Sequence, residues 1–380
     1  MLSTGCQSST LYKGLLTLII ILIALEYLFG GLIEHQTENL ITINGTRHMG
    51  SQRLIAHHPI VKAFKAEASN VTLNNSIING TDVGESIKTI SVSNITSTTY
   101  YEESSDTSPS GIQVCPEVPA NLTGKLKIIK SPVPTVLELE KRFTWLKPGG
   151  HFFPETCRAL HKVAIIIPFR SRGEHLLLFL QHMHPLLRRQ QIDYTIFVVE
   201  QEGNGPFNRA MLMNIGYKEA LNFNNFHCFI FHDIDLLPED DRNLYNCPEQ
   251  PRHMSVAIDI FKYRLPYKGI FGGVSAISKE HFELLNGFSN SFWGWGGEDD
   301  DMSNRIRYHK LHISRYPLTI AKYTMLTHKK DRPSPHRYEV LRSGQKRFTK
   351  DGINSLKYTL VEVKQNLLYT WLLVKLEPPS

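Results

Sequence analysis

The sequence carries little net charge and has no dense stripe of basic residues. It has 42 Lys and Arg against 36 Asp and Glu, which gives a net charge of +6 over 380 residues. A nucleic-acid-binding surface would show clustered Lys and Arg with aromatic residues between them, and no such cluster occurs. We therefore expect no nucleic-acid partner. We also find no internal repeat along the chain.

Cysteine is scarce as well, with five residues in the whole sequence. Cys6 precedes the one long hydrophobic run of the chain, and the other four follow it. An even number of cysteines beyond such a run is typical of disulfides in an oxidising compartment. The four are Cys115, Cys157, Cys228 and Cys247. The sequence alone permits three pairings, and buried free thiols are the alternative.

Only residues 15–33 form a long apolar run, LLTLIIILIALEYLFGGLI, in which Glu26 is the one charged residue. About 20 apolar residues are needed to cross a bilayer, so this run predicts a transmembrane anchor after a cytoplasmic tail at 1–14. Lys13 is the one basic residue before it and favours a cytoplasmic N-terminus. A signal peptide cleaved near Gly30 is the alternative.

Residues 34–112 are rich in Ser, Thr and Asn, contain few aromatic residues and show no sustained periodicity. Such a composition cannot bury much apolar surface, so it predicts a flexible, glycosylated stem. N-glycosylation sequons crowd this part of the chain and its border. Their asparagines are Asn44, Asn70, Asn74, Asn79, Asn94 and Asn121. Residues 113–380 would then form a lumenal catalytic domain.

Within that domain, short β-branched runs alternate with helical patterns. The runs 163–169, 194–199 and 227–232 predict buried strands, and 174–190 and 208–221 predict helices. This alternation indicates an α/β domain with a mostly parallel sheet. Ligands of such sheets bind at the carboxyl ends of the strands.

The third predicted strand ends in Asp233-Ile-Asp235. Residues two apart on an extended backbone point the same way, and paired carboxylates suit a hard divalent cation that bridges phosphate oxygens. Met325 and His328 form a second candidate metal element, because their spacing can place both side chains on one face of a turn. A core methionine beside a surface histidine is the alternative for that pair.

Arg170 and Arg172 follow the first predicted strand. Guanidinium groups at a strand end could bind a diphosphate. Ordinary surface charge is the other interpretation.

The segment 292–301, FWGWGGEDDD, is the richest in information. Its glycines permit backbone conformations that other residues avoid, and its tryptophans offer flat faces for sugar rings. Four acidic residues follow, as is common at the start of a helix. Beside the tryptophans, a carboxylate acting as a general base is the better interpretation.

Together these segments resemble the β-1,4-galactosyltransferase family, over some 265 residues from Cys115 onward. The resemblance rests on five motifs. They are Ile167-Pro-Phe-Arg-Ser-Arg172, Phe207-Asn-Arg209, His232-Asp-Ile-Asp-Leu236, Phe271-Gly-Gly-Val-Ser275 and Trp293-Gly-Trp-Gly-Gly-Glu-Asp-Asp300. It implies a GT-A fold, which is Rossmann-like α/β, with Mn²⁺ as cofactor and a UDP-sugar as donor. It also implies a single-pass type II protein of the Golgi membrane and the disulfides Cys115–Cys157 and Cys228–Cys247.

The resemblance also assigns roles to individual residues. The metal ligands would be Asp235, Met325 and His328. The donor and its UDP would contact Pro168, Phe169, Arg170, Arg172, Phe207, Asn208, Arg209, Asp233, Asp235 and Trp295. The acceptor sugar would contact Gly297, Glu298, Asp299, Arg337 and Tyr338. Asp299 would be the catalytic base that activates the 4-hydroxyl of a terminal GlcNAc on a glycoprotein or glycolipid.

One position departs from the pattern of galactose-transferring members, which usually carry Tyr immediately before Phe271-Gly-Gly. Here that residue is Ile270. A smaller apolar side chain leaves room for the donor's N-acetyl group, so the sequence predicts transfer from UDP-GalNAc to make GalNAcβ1-4GlcNAc. The alternative is transfer from UDP-Gal to the same acceptor. A non-catalytic lumenal lectin and a secretory-pathway scaffold are further alternatives, but both would leave the intact catalytic set unexplained.

Overall fold

We describe a computed structural model of the chain, which covers residues 112–329 and 331–377. The predicted cytoplasmic tail, the anchor at 15–33 and nearly all of the predicted stem lie outside the described residues. So do all the sequons except that of Asn121. Within the described ranges, no helix combines the length and the apolar character that crossing a bilayer requires.

The described part is an α/β domain, and its strands and helices are numbered in chain order. Strands β1 to β11 span His151–Phe152, Lys162–Phe169, Asp193–Gln201, Cys228–His232, Leu236–Pro238, Arg252–His253, Ala257–Ile258, Val274–Ser278, Lys322–Met325, Tyr358–Gln365 and Thr370–Leu376. Helices α1 to α6 span Val136–Arg142, Gly173–Arg189, Arg209–Ala220, Lys279–Leu284, Glu298–Tyr308 and Arg337–Ser343. The three strands and two helices predicted from the sequence are all present, within a few residues of their expected bounds.

The main sheet has the strand order β10-β11-β3-β2-β4-β8-β6, with β1 also paired to β3. Strands β11, β3, β2 and β4 are parallel, whereas β10, β8, β6 and β1 pair antiparallel. The prediction of a mostly parallel sheet was therefore right for the centre only, because the sheet is mixed. Helices α2 and α3 return the chain between β2, β3 and β4, but a tight turn joins β10 to β11 and reverses its direction.

Strand β2 shows why helices cover both faces of this sheet. Val163, Ile165 and Ile167 belong to one hydrophobic cluster, and Ala164 and Ile166 belong to the other. The first cluster also contains the apolar face of α2, and the second contains that of α3. Complete burial of each aliphatic side chain contributes about 1.5–3 kcal/mol. Because successive side chains of a strand point to opposite faces of the sheet, one apolar run contributes to the hydrophobic layers on both faces.

Both disulfides predicted from the family resemblance are confirmed. Cys115 pairs with Cys157, and Cys228 pairs with Cys247. The second links the first residue of β4 to the loop beyond β5. A disulfide typically stabilises a fold by about 2–4 kcal/mol, mainly by restricting the unfolded chain. This one therefore braces the segment that carries Asp233 and Asp235.

Candidate active site

The predicted metal residues come together beyond the carboxyl end of β4. A small three-stranded sheet, β5-β9-β7, pairs Leu236 with Met325. That register places Asp235 beside the end of β9, where His328 Nδ1 lies 3.0 Å from Asp235 Oδ2. Arg172 Nη1 donates to the same carboxylate oxygen at 3.1 Å. Two strands far apart in the sequence thus bring the two candidate motifs into one site.

The donor atoms of this set fit a divalent cation such as Mn²⁺. Carboxylate oxygen and imidazole nitrogen are ligands that Mn²⁺ accepts, and Met325 would add a softer thioether. Burial and the neighbouring Asp233 carboxylate raise the pKa of Asp235 to about 6, so a further positive charge here would favour its ionised form. Among the described residues, no cluster of three His, Cys, Asp or Glu side chains has a metal-binding arrangement. Asp235 and His328 would therefore need Met325, a substrate or water to complete the coordination.

Arg209 forms hydrogen bonds both with the segment that follows β4 and with helix α5. Its Nε donates to Asp233 Oδ1 at 2.6 Å, and its Nη1 donates to Glu298 Oε1 at 3.3 Å. Glu298 Oε2 is buried and has no hydrogen-bond partner among the described residues. An unsatisfied buried carboxylate oxygen is costly, and a hydroxyl group of a ligand would satisfy it.

The four acidic residues of the FWGWGGEDDD segment form the first turn of α5, which begins after Gly297. Successive helical residues point about 100° apart, so each carboxylate meets a different neighbour. Glu298 meets Arg209, Asp300 accepts from Tyr267 Oη at 2.9 Å, and buried Asp301 pairs with Arg305 at 2.9 Å. Asp299 is the one that faces Gly272.

Asp299 has the environment that a general base needs. Its Oδ2 lies 2.7 Å from the point that a Cβ on Gly272 would occupy, so a larger residue there would displace the carboxylate. Burial, together with the Glu298 and Asp300 carboxylates, raises the pKa of Asp299 to about 7. A base of that pKa exchanges protons efficiently near neutral pH. Gly272 and Tyr267 were not predicted as site residues, because nothing in their sequence pattern shows that they contact these acids.

Two predicted acceptor residues, Arg337 and Tyr338, lie near Trp295, which is predicted to contact the donor. Trp295 is 58% exposed, and its carbonyl accepts a hydrogen bond from the Ser334 amide at 3.0 Å. The Arg337 guanidinium stacks 4.4 Å from the Tyr338 ring centroid and 5.9 Å from that of Trp295. Gly296, at φ +104°, lets the chain pass close to Arg337. These three side chains together offer a flat, partly apolar surface with guanidinium donors.

The predicted donor residues surround the ends of β2 and β3. Pro168 and Phe169 are buried at the end of β2, and the Arg170 guanidinium lies 5.0 Å from the Phe207 ring centroid. Asn208 is fully buried and caps α3 by accepting from the Met211 amide at 2.9 Å. Its contacts are with the protein itself, so it holds the loop that presents its neighbours.

Ile270 precedes Phe271 and the glycine pair 272–273, and its side chain is partly buried. Its carbonyl accepts a hydrogen bond from Arg315 Nη2 at 2.8 Å. Arg315 Nε also lies 3.2 Å from His253 Nδ1, and His253 Nε2 lies 3.0 Å from the Gly272 carbonyl. These hydrogen bonds therefore fix the backbone from Ile270 to Gly272.

A chain of buried hydrogen bonds holds the backbone of the segment that carries Asp233 and Asp235. Burial lowers the pKa of His232 to about 3, so the ring is neutral. Its Nδ1 donates to the Asp233 carbonyl at 2.8 Å, which leaves Nε2 to accept from Tyr245 Oη at 2.9 Å. Tyr323 Oη lies 3.2 Å from Tyr245 Oη, and Asn243 Nδ2 donates to Tyr323 Oη at 3.1 Å. His232 belongs to the motif His232-Asp-Ile-Asp-Leu236, but its hydrogen bond with Tyr245 could not be predicted from the sequence.

Comparison with known proteins gives the same assignment over both parts of the site. Residues 115–248 match the N-terminal region of glycosyl transferase group 7, and residues 252–329 match the N-terminal domain of galactosyltransferase. Human β-1,4-galactosyltransferase 3 is 46% identical over 266 residues, which cover 69% of this chain and 68% of that protein. Bovine β-1,4-galactosyltransferase 1 is 45% identical over 278 residues, which cover 72% of this chain and 69% of that protein.

A solved structure shares the fold. A mutant of Drosophila β-1,4-galactosyltransferase 7, crystallised with manganese, UDP-Gal and xylobiose, superposes with a TM-score of 0.51 at 32% identity. The match covers 58% of this chain and 96% of that one. The described residues therefore have a GT-A-like fold with a mixed sheet. The chain is a glycosyltransferase and belongs to the β-1,4-galactosyltransferase family.

Proposed function

We propose that this enzyme transfers galactose or N-acetylgalactosamine from the UDP-sugar to the 4-hydroxyl of a terminal GlcNAc, with inversion at the anomeric carbon. The observation that carries the proposal is the position of Asp299. It lies against Gly272, has a pKa of about 7, and follows Glu298, whose buried Oε2 could orient an acceptor hydroxyl.

The chemistry follows from this arrangement. Asp299 accepts the proton of the acceptor hydroxyl as its oxygen attacks the anomeric carbon, and the bond from that carbon to the UDP oxygen breaks. A single displacement converts an α-linked donor into a β-linked product. Bound at Asp235, Met325 and His328, Mn²⁺ would stabilise the negative charge of the departing diphosphate. Arg170 would add a guanidinium contact to the nucleotide.

UDP-Gal is the donor that the relatives favour. Human β-1,4-galactosyltransferase 3 and bovine β-1,4-galactosyltransferase 1 are named for galactose transfer, and the Drosophila structure contains UDP-Gal. UDP-GalNAc is the second candidate, and one specific observation favours it. Ile270 stands before Phe271 where galactose-transferring members usually carry Tyr, and its smaller side chain would leave room for the donor's N-acetyl group.

The acceptor and the cellular location complete the proposal. Arg337 and Tyr338 would bind the N-acetyl group of GlcNAc, with Trp295 over the sugar ring. The acceptor would be carried by a glycoprotein or a glycolipid. We place the enzyme in the Golgi membrane, anchored by residues 15–33 with the catalytic domain in the lumen. The two disulfides support this location, because they form in oxidising compartments.

The decisive experiment offers UDP-Gal and UDP-GalNAc to the purified enzyme with Mn²⁺ and a GlcNAc-terminated acceptor. Transfer from UDP-Gal alone would support the first donor, and efficient transfer from UDP-GalNAc would support the second. Ile270→Tyr should lower any use of UDP-GalNAc and leave UDP-Gal accepted. Val361→Tyr, on the exposed strand β10, is the matched control. Transfer of neither sugar to GlcNAc would contradict the proposal.

A further inference from the structure

A groove lies far from the catalytic edge, at the other end of α2. Arg172 stands at the start of this helix in the metal site, whereas Arg188 and Arg189 stand at its end in the groove. A 17-residue helix is about 25 Å long, so the two sites are separated by that length. The groove encloses about 680 Å³, and its lining includes Asn121, Trp145, Phe152 and Pro154.

Asn121 is the exposed asparagine of a sequon and lines this groove. The turn that carries it is fixed by the buried Asp241 carboxylate. Asp241 accepts from the Thr123 amide at 3.0 Å, from Thr123 Oγ1 at 2.8 Å and from the Gly124 amide at 2.7 Å. Arg189, in the groove wall, donates to the same carboxylate at 2.8 Å. Asn121 is thus held in a fixed position relative to the wall.

The walls have the chemistry that oligosaccharides need. The Arg188 guanidinium stacks 4.7 Å from the Trp145 ring centroid, and neither Arg188 nor Arg142 has a side-chain hydrogen-bond partner among the described residues. Guanidinium N–H groups donate to sugar hydroxyl and acetamido oxygens. Phe152, Pro154 and Pro185 add apolar surface for the faces of sugar rings. The Trp145 ring is also packed against Phe152 at 5.2 Å, which makes this wall rigid.

We propose that the N-linked glycan of Asn121 lies in this groove, with its first sugars packed against the apolar wall and hydrogen-bonded to Arg188 and Arg142. The glycan would then act as a structural element that clamps the segment around Asn121 to the end of α2. This inference rests on the proposed lumenal location, but it does not depend on the donor or the acceptor of the reaction.

The test uses the full-length chain made in a cell that adds N-glycans. Glycopeptide mass spectrometry follows the release of each glycan by an amide-cleaving glycosidase under native conditions. We expect release at Asn121 to be at least about tenfold slower than at Asn44, Asn70 and Asn94, and equal to them after denaturation, because a packed glycan is accessible only when it opens. The other sequons are therefore internal controls in the same molecule.

Variants separate packing from simple occupancy. Arg188→Ala and the double change with Arg142→Ala should speed release at Asn121 several-fold, while a change at the exposed side chain of Lys375 in β11, Lys375→Ala, should not. Sugar transfer should stay unchanged in all three. Asn121→Gln should lower the Tm. An empty Asn121 beside occupied stem sequons, or equal release at every site, would overturn the proposal. Empty sequons throughout the chain would contradict the lumenal location as well.

Discussion

Arg209 donates to the Asp233 carboxylate at 2.6 Å and, through a second nitrogen, to Glu298 at 3.3 Å. One guanidinium therefore joins the segment after β4, which we propose faces the nucleotide, to helix α5, which we propose faces the acceptor. Arg209→Lys keeps the charge but loses the planar fork that reaches both carboxylates. We expect kcat/KM to fall about tenfold or more, with the KM values for both substrates affected. Arg347→Lys, which changes a pair with Asp351 elsewhere, should have little effect on either KM.

Asp299→Asn removes the base while preserving the shape of the side chain. Loss of a general base typically costs about 10²–10⁴-fold in rate, so transfer should fall by that much while UDP binding persists. Calorimetric titration with UDP and Mn²⁺ checks the second point. Asp300→Asn, which alters only the carboxylate that meets Tyr267, should retain most of the activity. An equal loss of transfer activity in the two variants would contradict the proposal that Asp299 is the general base.

The raised pKa of Asp299 predicts opposite effects of pH on activity and stability. The carboxylate must be ionised to accept a proton, so kcat/KM should rise with pH up to about 7 and then level off. The ordinary pKa of Asp is about 3.9, so between pH 4 and 7 the folded state binds more protons than the unfolded state. This group therefore makes the fold less stable as pH rises through that window. Asp299→Asn should raise the Tm at pH 8 more than at pH 4.

The Asp235 and His328 pair predicts the metal dependence. Asp235→Asn and His328→Ala should each abolish the rise in Tm that Mn²⁺ with UDP produces in the parent enzyme, since a ligand stabilises a fold only when it binds. Chelation by EDTA should stop transfer, and Mn²⁺ should restore it. His336→Ala, at an exposed histidine in the same part of the chain, is the control. A full Tm response in both site variants would place the cation elsewhere.

The chain of buried hydrogen bonds from His232 through Tyr245 to Tyr323 predicts that a substitution away from the proposed metal ligands changes the Mn²⁺ requirement. Tyr323→Phe removes the hydroxyl that donates to Tyr245, and a buried hydrogen bond is worth about 1 kcal/mol. We expect a small loss of stability and a several-fold rise in the Mn²⁺ concentration for half-maximal activity, because the Asp233 carbonyl is held less firmly. Tyr308→Phe, at an exposed ring, should change neither. Lower stability with an unchanged Mn²⁺ requirement would mean that the chain supports the fold alone.

Local patterns predicted much of this fold. The β-branched run in β2 and the strand end at Asp233 could be identified because apolar runs and the residues that follow them are contiguous in sequence. The antiparallel neighbours β8 and β10 were missed because pairing direction depends on connections that carry no periodic signal.

The site residues likewise divide into those that a local motif identifies and those whose contacts depend on distant segments. Asp235, His328 and Asp299 stand in recognisable motifs. The bridge made by Arg209 and the contact of Tyr267 with Asp300 arise only when distant segments meet. The cap that the Asn208 side chain forms on α3 was likewise not identified from the motif that contains it.

The first turn of α5 also constrains which sequence changes this enzyme can tolerate. Since its four acids point in four directions, inserting one residue after Gly297 would rotate each of them by about 100°. Arg209, Gly272 and Tyr267 would then all face the wrong carboxylate at once, whereas the Asp301–Arg305 pair within α5 would move as a unit. Substitutions can test these contacts singly, whereas a change in length breaks them together. We therefore expect the number of residues between Gly297 and Arg305 to be harder to change than any one of the acids.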